Sequence, residues 1–300
     1  MKTLTSSMII LHGKLANDPL LRDSIRQFRE RGFTLHIRLT WESGDAERFV
    51  QEAHTMHIDN VISAGGDGTL NEVVNAIYKL DAKSRPTLGV LPLGTANDFA
   101  RAAGIPEAFN NALMLALNGR PRQIDLVQVN RKRCFINMIY GGVGAKVTGN
   151  TGEPVKTSLG GASYLIHGPL RLDKLVPNHC EIRGGDFIWE GDALLMGIGN
   201  SRQGGAGKLL WPGALINDGH INLRVFTGES LEPTLLSTLA RSEDEEHMLE
   251  AESSWFEIRS TNTMTFYLDG EEAVNSDQIS LVVKPGAIFC RLPPDCPLLK

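Results

Sequence analysis

The feature that most constrains the fold is a glycine-rich loop between a short apolar strand and an amphipathic helix. The loop runs from Gly65 to Thr69, and the apolar positions from Leu70 to Ile77 then follow helical spacing. Glycines let a backbone approach a ligand closely, and amides at a helix N-terminus point toward an anion. The loop therefore predicts a polyphosphate-binding turn in which Asp67 manages a divalent cation or a proton. The alternative is a plain strand-to-helix turn that Asp67 caps.

The first part of the chain alternates strands and helices. The predicted elements, in chain order, are a strand over Met8–Leu11, a helix after Asp18, a strand over Phe33–Trp41, a helix over Asp45–His57, a strand over Asn60–Ala64, a helix over Leu70–Leu80 and a strand over Thr87–Leu93. This alternation favours parallel β-α-β units, in which ligands collect at the carboxyl ends of the strands. A second polar turn, Gly94 to Asp98, follows the last strand, so both polar turns lie at such ends.

From about Gln123 the pattern changes to short apolar or alternating segments that turn residues separate. Such segments predict an antiparallel β domain, a sandwich or a related fold. They are Ile124–Val129, Cys134–Ile139, Phe187–Ile198, Ile221–Phe226, Trp255–Ile258, Met264–Leu268 and Ile279–Val283. Two helical insertions are predicted as well, one over Leu159–Leu175 and one over Leu231–Leu249.

The length of 300 residues suits two domains. We predict an α/β domain over residues 1–125, a β-sandwich domain over residues 126–285, and a tail, residues 286–300, that packs back on the first domain. The net charge of −5 gives no general attraction to nucleic acid. Apolar runs are too short for a membrane-spanning helix, and the four scattered cysteines suit a reducing, cytoplasmic setting.

Two Asp-Gly turns in the β domain carry further carboxylates. One contains Asp218 and the other starts at Asp269, and Asp-Gly between apolar runs is a common hairpin turn. The second turn also carries Glu271 and Glu272, and crowding of like charges raises the pKa of a carboxyl group. Because a carboxylate with a raised pKa can act as a general base, this turn is a candidate catalytic site.

Taken together, the motifs resemble the diacylglycerol-kinase catalytic family, and within it the bacterial YegS-like lipid kinases. The resemblance rests on four segments in the family's order and spacing: Gly65–Glu72, Leu91–Arg101, Asn217–Gly219 and Asp269–Glu271. The glycine loop alone would also fit NAD kinases and phosphofructokinases. The Gly-Thr-x-Asn-Asp-Phe-Ala-Arg block within the second segment is more specific and points to lipid kinases.

The resemblance implies an NAD-kinase-like α/β domain and a β-sandwich domain, with ATP and substrate in the cleft between them. It implies that ATP contacts a set of loop residues: Thr40, Gly66, Asp67, Gly68, Thr69, Leu70, Asn71, Glu72, Thr95 and Asp98. It further implies an Mg²⁺ ion at Asp218 with the carbonyls of Leu215 and His220, and Ca²⁺ is an alternative ion there. Glu271 would take the proton from the lipid hydroxyl, with Asp269 beside it.

The expected activity is ATP- and Mg²⁺-dependent phosphorylation of a hydroxyl on a membrane lipid, either phosphatidylglycerol or diacylglycerol. The expected setting is the cytoplasm, with transient peripheral contact to the membrane. Two alternatives stay open: a kinase of a soluble metabolite, like NAD kinase, and a catalytically silent regulator that binds nucleotide or lipid. One departure from many relatives is the first loop, Leu11 to Lys14, where an Asn-Pro-x-Ser-Gly sequence is common.

Overall fold

The computed structural model describes residues 6–144, 177–204, 208–227, 248–269 and 272–300. The first predicted helical insertion lies outside these residues, and so does the candidate base Glu271. Of the second predicted insertion, only Met248 and Leu249 are described, and they belong to a strand. Among the described helices, none is long and apolar enough to cross a membrane.

The first lobe contains four parallel strands in the order β2-β1-β3-β4, with helices packed against them. Its elements are β1 Ser7–His12, α1 Pro19–Glu30, β2 Leu35–Thr40, α2 Asp45–Thr55, β3 Asn60–Gly65, α3 Asp67–Lys79, β4 Thr87–Pro92, α4 Asp98–Ala102 and α5 Phe109–Asn118. Strands β1, β3 and β4 are almost wholly buried, as their continuous apolar runs predict for a parallel sheet, whereas the alternating strand β2 lies at the edge and is partly exposed. The α/β first part predicted from the sequence is confirmed.

Helix α3 starts at Asp67, three residues before the start predicted from its apolar positions. The turn from β3 into α3 needs only Gly65 and Gly66, so the rest of the glycine loop forms the first helical turn. A Cβ at Gly65 would lie 2.5 Å from Oγ1 of Thr69, which leaves no room for a side chain. The glycine loop therefore brings the start of α3 directly against the end of β3.

The second lobe is antiparallel and consists almost entirely of strands. They are β5 Pro121–Val129, β6 Arg133–Phe135, β7 Met138–Gly144, β8 Asn178–Gly184, β9 Phe187–Gly199, β10 Gln203–Gly204, β11 Lys208–Leu209, β12 Ile221–Thr227, β13 Met248–Ser253 and β14 Trp255–Leu268. Strands β7, β14, β8 and β9 pair in a closed circuit, and β12 and β13 extend the sheet from β9. The sheet-rich second part that the sequence predicts is confirmed.

Strand β15, Glu272–Arg291, runs through both lobes. Its first half pairs with β14, and its second half pairs with β5 and, at Cys290, with β4 of the first lobe. Gly286 bends the strand in the left-handed region at φ 56°, which favours glycine. Beyond the strand, Leu292 and Leu298 are buried in the core of the first lobe. A continuous backbone ladder therefore connects the two lobes.

Candidate functional site

The two polar turns of the first lobe lie against each other at the carboxyl ends of β3 and β4. The backbone N–H of Leu93 donates to the carbonyl of Gly65 over 2.9 Å. A Cβ at Gly94 would lie 2.4 Å from the Cα of Gly66, so this approach excludes any side chain. The amide of Asn97 bonds back to both backbone groups of Gly94, which fixes the second turn.

The carboxylate of Asp67 joins these two turns. It accepts hydrogen bonds from the backbone N–H groups of Asp98, at 3.2 Å, and Phe99, at 3.4 Å. These are the first amides of α4, which have no partner within that helix. Asp67 therefore caps α4 from across the loop, although it is itself the first residue of α3. The capping alternative weighed from the sequence thus applies to the neighbouring helix.

The environment of Asp67 disfavours its ionised form. Burial, together with the negative charges of Asp98 and Asp269, raises the pKa of Asp67 to about 6, although the two backbone hydrogen bonds act in the opposite direction. An ionised carboxylate in this environment lowers the stability of the fold. Such groups concentrate at binding and catalytic sites, so Asp67 is a functional candidate as well as a cap.

The carboxylate of Asp269 is the most heavily bonded side chain in this region. It is buried at the end of β14, and it accepts from the backbone N–H groups of Ile136, Asn137 and Met138, each at 3.0 Å. The side-chain amide of Asn71 donates a fourth hydrogen bond at 2.7 Å. Burial raises the pKa of Asp269, while these four donors favour its charged form. Asp269 thus fixes the turn between β6 and β7 to the end of β14.

Helix α3 is bonded to the second lobe through two asparagines. Asn71 donates to the carbonyl of Cys134 at 3.0 Å as well as to Asp269. One turn later, Asn75 donates to the same carbonyl and accepts from the N–H of Cys134 at 2.8 Å. The helix that starts at the glycine loop is therefore held directly against the strand and turn that Asp269 organises.

The remaining predicted nucleotide-binding residues lie at one edge of the parallel sheet. Thr40 ends β2, and Thr95 is exposed in the turn that follows β4. On the first turns of α3, Thr69 and Leu70 are buried, whereas Glu72 is exposed. The structure thus brings together residues of the β2, β3 and β4 ends that lie up to 55 positions apart in the sequence.

The predicted metal loop contains a group of potential ligands. Side-chain ligand atoms of Asp218, His220 and Glu252 all lie within 4.8 Å of one another. Two carboxylates and one imidazole form a donor set that suits a divalent cation, and carboxylate oxygens are what Mg²⁺ and Ca²⁺ prefer. Leu215 lies partly buried in the same loop, where its predicted contribution is a backbone carbonyl. Glu252 was not predicted from the sequence. It reaches this loop because β13 pairs with β12, the strand that directly follows the loop.

Asp125 is another residue near the predicted metal loop that the sequence did not indicate. It is 2% exposed on β5, and its two oxygens accept from the N–H groups of Gly219 and Gly286, each at 2.7 Å. Burial raises the pKa of Asp125, although these two hydrogen bonds act in the opposite direction. The carboxylate therefore ties the predicted metal loop to the bend in β15. An acidic residue between the apolar Ile124 and Leu126 was the available signal.

Comparisons with known proteins identify the family. Residues 8–129 match the diacylglycerol kinase catalytic domain. All 300 residues align with "Probable lipid kinase YegS" of Salmonella schwarzengrund strain CVM19633 at 51% identity, and with "Probable lipid kinase YegS-like" of Enterobacter sp. strain 638 at 50%; each alignment covers 100% of both chains. A solved structure from Bacillus anthracis strain Sterne, titled a "putative diacylglycerol kinase", superposes with a TM-score of 0.81 at 23% identity, covering 97% of this chain and 98% of that one.

These matches first define a class, that of proteins with a diacylglycerol kinase catalytic domain. Within that class, the full-length identity of 51% shows that the chain belongs to the YegS lipid kinase family. The resemblance noted in the sequence and the enzyme class that it implied, a lipid kinase, are both confirmed. The Bacillus anthracis structure shows that the two-lobed fold is shared by a protein at 23% identity.

The raised pKa of Asp67 predicts a pH-dependent loss of stability. Between the pKa of an unfolded aspartate, about 4, and the folded value, about 6, the folded state binds more protons, so stability falls as pH rises through this window. Asp67→Asn keeps an acceptor for the α4 amides but removes the charge. We measure the free energy of unfolding of this variant and of wild type in urea. The difference, variant minus wild type, should increase by up to about 3 kcal/mol between pH 4 and pH 7. A difference that is independent of pH would contradict this assignment.

Proposed function

We propose that this protein transfers the γ-phosphate of ATP to a hydroxyl of a membrane lipid, phosphatidylglycerol or diacylglycerol, in an Mg²⁺-dependent reaction. The observation that carries the proposal is the junction at Asn71. This side chain, on the helix of the glycine loop, bonds directly to Asp269, two residues before the candidate base Glu271. The junction therefore links a phosphate-binding turn in one lobe with a carboxylate-rich turn in the other.

The first lobe offers a binding edge for the nucleotide. The N-terminus of α3 leaves its first amides without helical partners and gives them a positive potential, which suits a phosphate. Glycine at positions 66 and 94 lets both backbone turns approach the same ligand. The hydroxyls of Thr40 and Thr95 lie at the same edge and can orient the nucleotide. We infer an NAD-kinase-like arrangement in which ATP lies along this edge, in the cleft between the lobes.

The group of potential ligands at the predicted metal loop suits a divalent cation. Asp218, with His220 and Glu252, would hold Mg²⁺ or Ca²⁺, and the carbonyls of Leu215 and His220 would complete the ligand set. When bound, Mg²⁺ neutralises negative charge on phosphate oxygens, a principal requirement of phosphoryl transfer. Asp125 keeps this loop in place by accepting the N–H of Gly219, next to Asp218 in the sequence.

Proton removal from the lipid hydroxyl is assigned to Glu271. Phosphoryl transfer depends mainly on positioning and charge neutralisation, so the base needs a fixed location more than unusual reactivity. The four hydrogen bonds to Asp269 hold the start of its turn in place and occupy the carboxylate oxygens. We therefore propose that Asp269 acts as a positioning residue and that Glu271 accepts the proton.

The proposed setting is the cytoplasm, with transient contact at the inner face of the membrane where the lipid resides. The net charge of −5 gives nucleic acid no general attraction to this protein. Membrane contact must then come from a local surface rather than from overall charge.

Replacement of the proposed base tests the reaction directly. Removing a general base costs about 10²–10⁴ in rate, so we expect Glu271→Gln to lose this factor in kcat for transfer of labelled γ-phosphate from ATP to phosphatidylglycerol or diacylglycerol in mixed micelles. Its melting temperature should stay close to that of wild type. The neighbouring variant Glu272→Gln is the matched control and should keep most of the activity. If Glu271→Gln turned over at the wild-type rate, another group would have to be the base.

The metal loop makes a separate prediction for the dependence on Mg²⁺. Asp218→Asn removes one of two carboxylates, so we expect at least about a 10-fold rise in the Mg²⁺ concentration required for half-maximal activity. EDTA should abolish activity in wild type, and added Mg²⁺ should restore it. Glu250→Gln, on the same strand as Glu252 but paired with Arg224, serves as the control. An identical Mg²⁺ titration for Asp218→Asn and wild type would exclude this loop as the ion site.

A further inference from the structure

The predicted metal loop places an imidazole beside a carboxylate on the outer face of the second sheet. His220 directly precedes β12, a strand whose residues Ile221 and Leu223 are buried in the second core. His220 and Asn222 therefore lie on the opposite face of the strand. On that face Asn222 pairs with Glu252 of β13, so His220 and Glu252 are diagonal neighbours, a spacing that long side chains can bridge.

The distances around this imidazole match those between ligands that share one ion. Nδ1 of His220 lies 2.9 Å from the carbonyl oxygen of Asp218 and 3.9 Å from Oε1 of Glu252. Metal bonds to nitrogen and oxygen are about 2.0–2.2 Å long, so two ligands of one ion lie roughly 3–4 Å apart. The ligand atoms of the three side chains all lie within 4.8 Å of one another. Small side-chain rotations would therefore bring them to a single ion.

The backbone of the loop is fixed, whereas its side chains are open to solvent. The N–H of His220 donates to Oδ1 of Asp218 at 3.0 Å, and the N–H of Gly219 donates to the buried carboxylate of Asp125 at 2.7 Å. Gly219 adopts φ 79°, which favours glycine. The side chains of His220 and Glu252 are 48% and 58% exposed. An ion from solvent can therefore reach ligands that a rigid turn presents.

The imidazole distinguishes this donor set from a set of oxygen atoms. Mg²⁺ and Ca²⁺ are hard ions that prefer oxygen ligands. Imidazole nitrogen suits transition ions, whose affinity for such sites rises from Mn²⁺ to Cu²⁺. The carboxylates of Asp218 and Glu252 supply negative charge that any divalent ion needs. The nitrogen of His220 then favours a transition ion over Mg²⁺ and Ca²⁺.

A second histidine lies between two carboxylates but does not form such a group. Nδ1 of His179 contacts Asp192 at 2.9 Å, and its Nε2 contacts Glu190 at 3.2 Å. Because these contacts use opposite nitrogens of the ring, the two carboxylates cannot share an ion with one of them. At His220, by contrast, the oxygens of Asp218 and Glu252 both approach Nδ1. His179 therefore provides a natural control for the effect of convergence.

We propose that the predicted metal loop binds a divalent transition ion, such as Mn²⁺, more tightly than Mg²⁺ or Ca²⁺, and that the imidazole of His220 is the ligand responsible. The inference rests on the proposed function only for the use of the ion in phosphoryl transfer. Mg²⁺ binds to carboxylate and carbonyl oxygens of the same loop, so the two ions compete for one site.

Mn²⁺ binding to the full-length protein, without nucleotide, tests this preference. Free Mn²⁺ is measured by its EPR signal, and Mg²⁺ affinity by competition. Wild type should bind Mn²⁺ at least about 10-fold more tightly than Mg²⁺. His220→Leu keeps the main-chain carbonyl but should lower this ratio at least about 10-fold, because loss of a ligand should cost no less than the roughly 10–100-fold that loss of an outer-shell partner costs. His179→Leu is the matched control and should leave the ratio unchanged.

Two further measurements separate the imidazole from charge and from folding. Pulsed EPR of bound Mn²⁺ should show coupling to an imidazole nitrogen in wild type and none in His220→Leu. Glu252→Gln removes charge that both ions need, so it should weaken Mn²⁺ and Mg²⁺ alike and preserve their ratio. If His220→Leu does not fold, His220→Asn decides, because it keeps an N–H donor for the carbonyl of Asp218 and replaces the imidazole by an amide.

The outcomes distinguish this inference from the proposed reaction. Equal affinities for Mn²⁺ and Mg²⁺ in wild type, or nitrogen coupling that persists in His220→Leu, would overturn the inference. His220 and Glu252 would then form a surface ion pair, and the proposed kinase reaction would stand. Tight Mn²⁺ binding with nitrogen coupling, in a protein that transfers no phosphate, would support the site and overturn the reaction instead.

Discussion

The buried carboxylate of Asp269 is the interaction on which the arrangement of the two lobes depends. A carboxylate removed from water is costly unless it is fully bonded, and Asp269 receives four hydrogen bonds from three backbone groups and from Asn71. Those donors belong to the β6–β7 turn of one lobe and to α3 of the other. Because each donor needs this one acceptor, the glycine loop, the turn and the end of β14 must fold as a unit.

Aspartate carboxylates fix two other loops in the same way. Asp67 accepts hydrogen bonds from two amides of α4, and Asp125 accepts one from the predicted metal loop and one from the bend in β15. In each case a buried or partly buried aspartate fixes a loop by bonding to backbone N–H groups that a regular element cannot satisfy. The loops that carry the predicted functional groups are thereby attached to a rigid scaffold, and the proposed phosphoryl transfer depends on such fixed positions.

Much of the fold follows from patterns that are local in the sequence. Short apolar or alternating segments predicted the strands of the first lobe, and their alternation with helices predicted the parallel sheet. The glycine loop predicted the start of a helix at a phosphate-binding turn. Strand β14 was predicted as two segments because the polar residues from Ser260 to Thr263 interrupt its apolar pattern. In the structure the strand continues through them with a shift of register against β15. The interruption in the pattern therefore marked an irregularity in pairing and not the end of a strand.

The parts of the site that the sequence did not indicate depend on pairing between distant segments. Glu252 approaches Asp218 through strand register, and the bonds of Asp269 to residues 136–138 depend on the pairing of β14 with β7.

The most direct test of the account is the unfolding free energy and the kinase activity of Asp269→Asn, measured on one sample. The account predicts that the unfolding free energy falls by at least about 3 kcal/mol and that lipid phosphorylation is lost. The reason is that the side-chain N–H₂ group of asparagine would face backbone N–H donors. Wild-type stability with activity lost would contradict it and give Asp269 a direct chemical role.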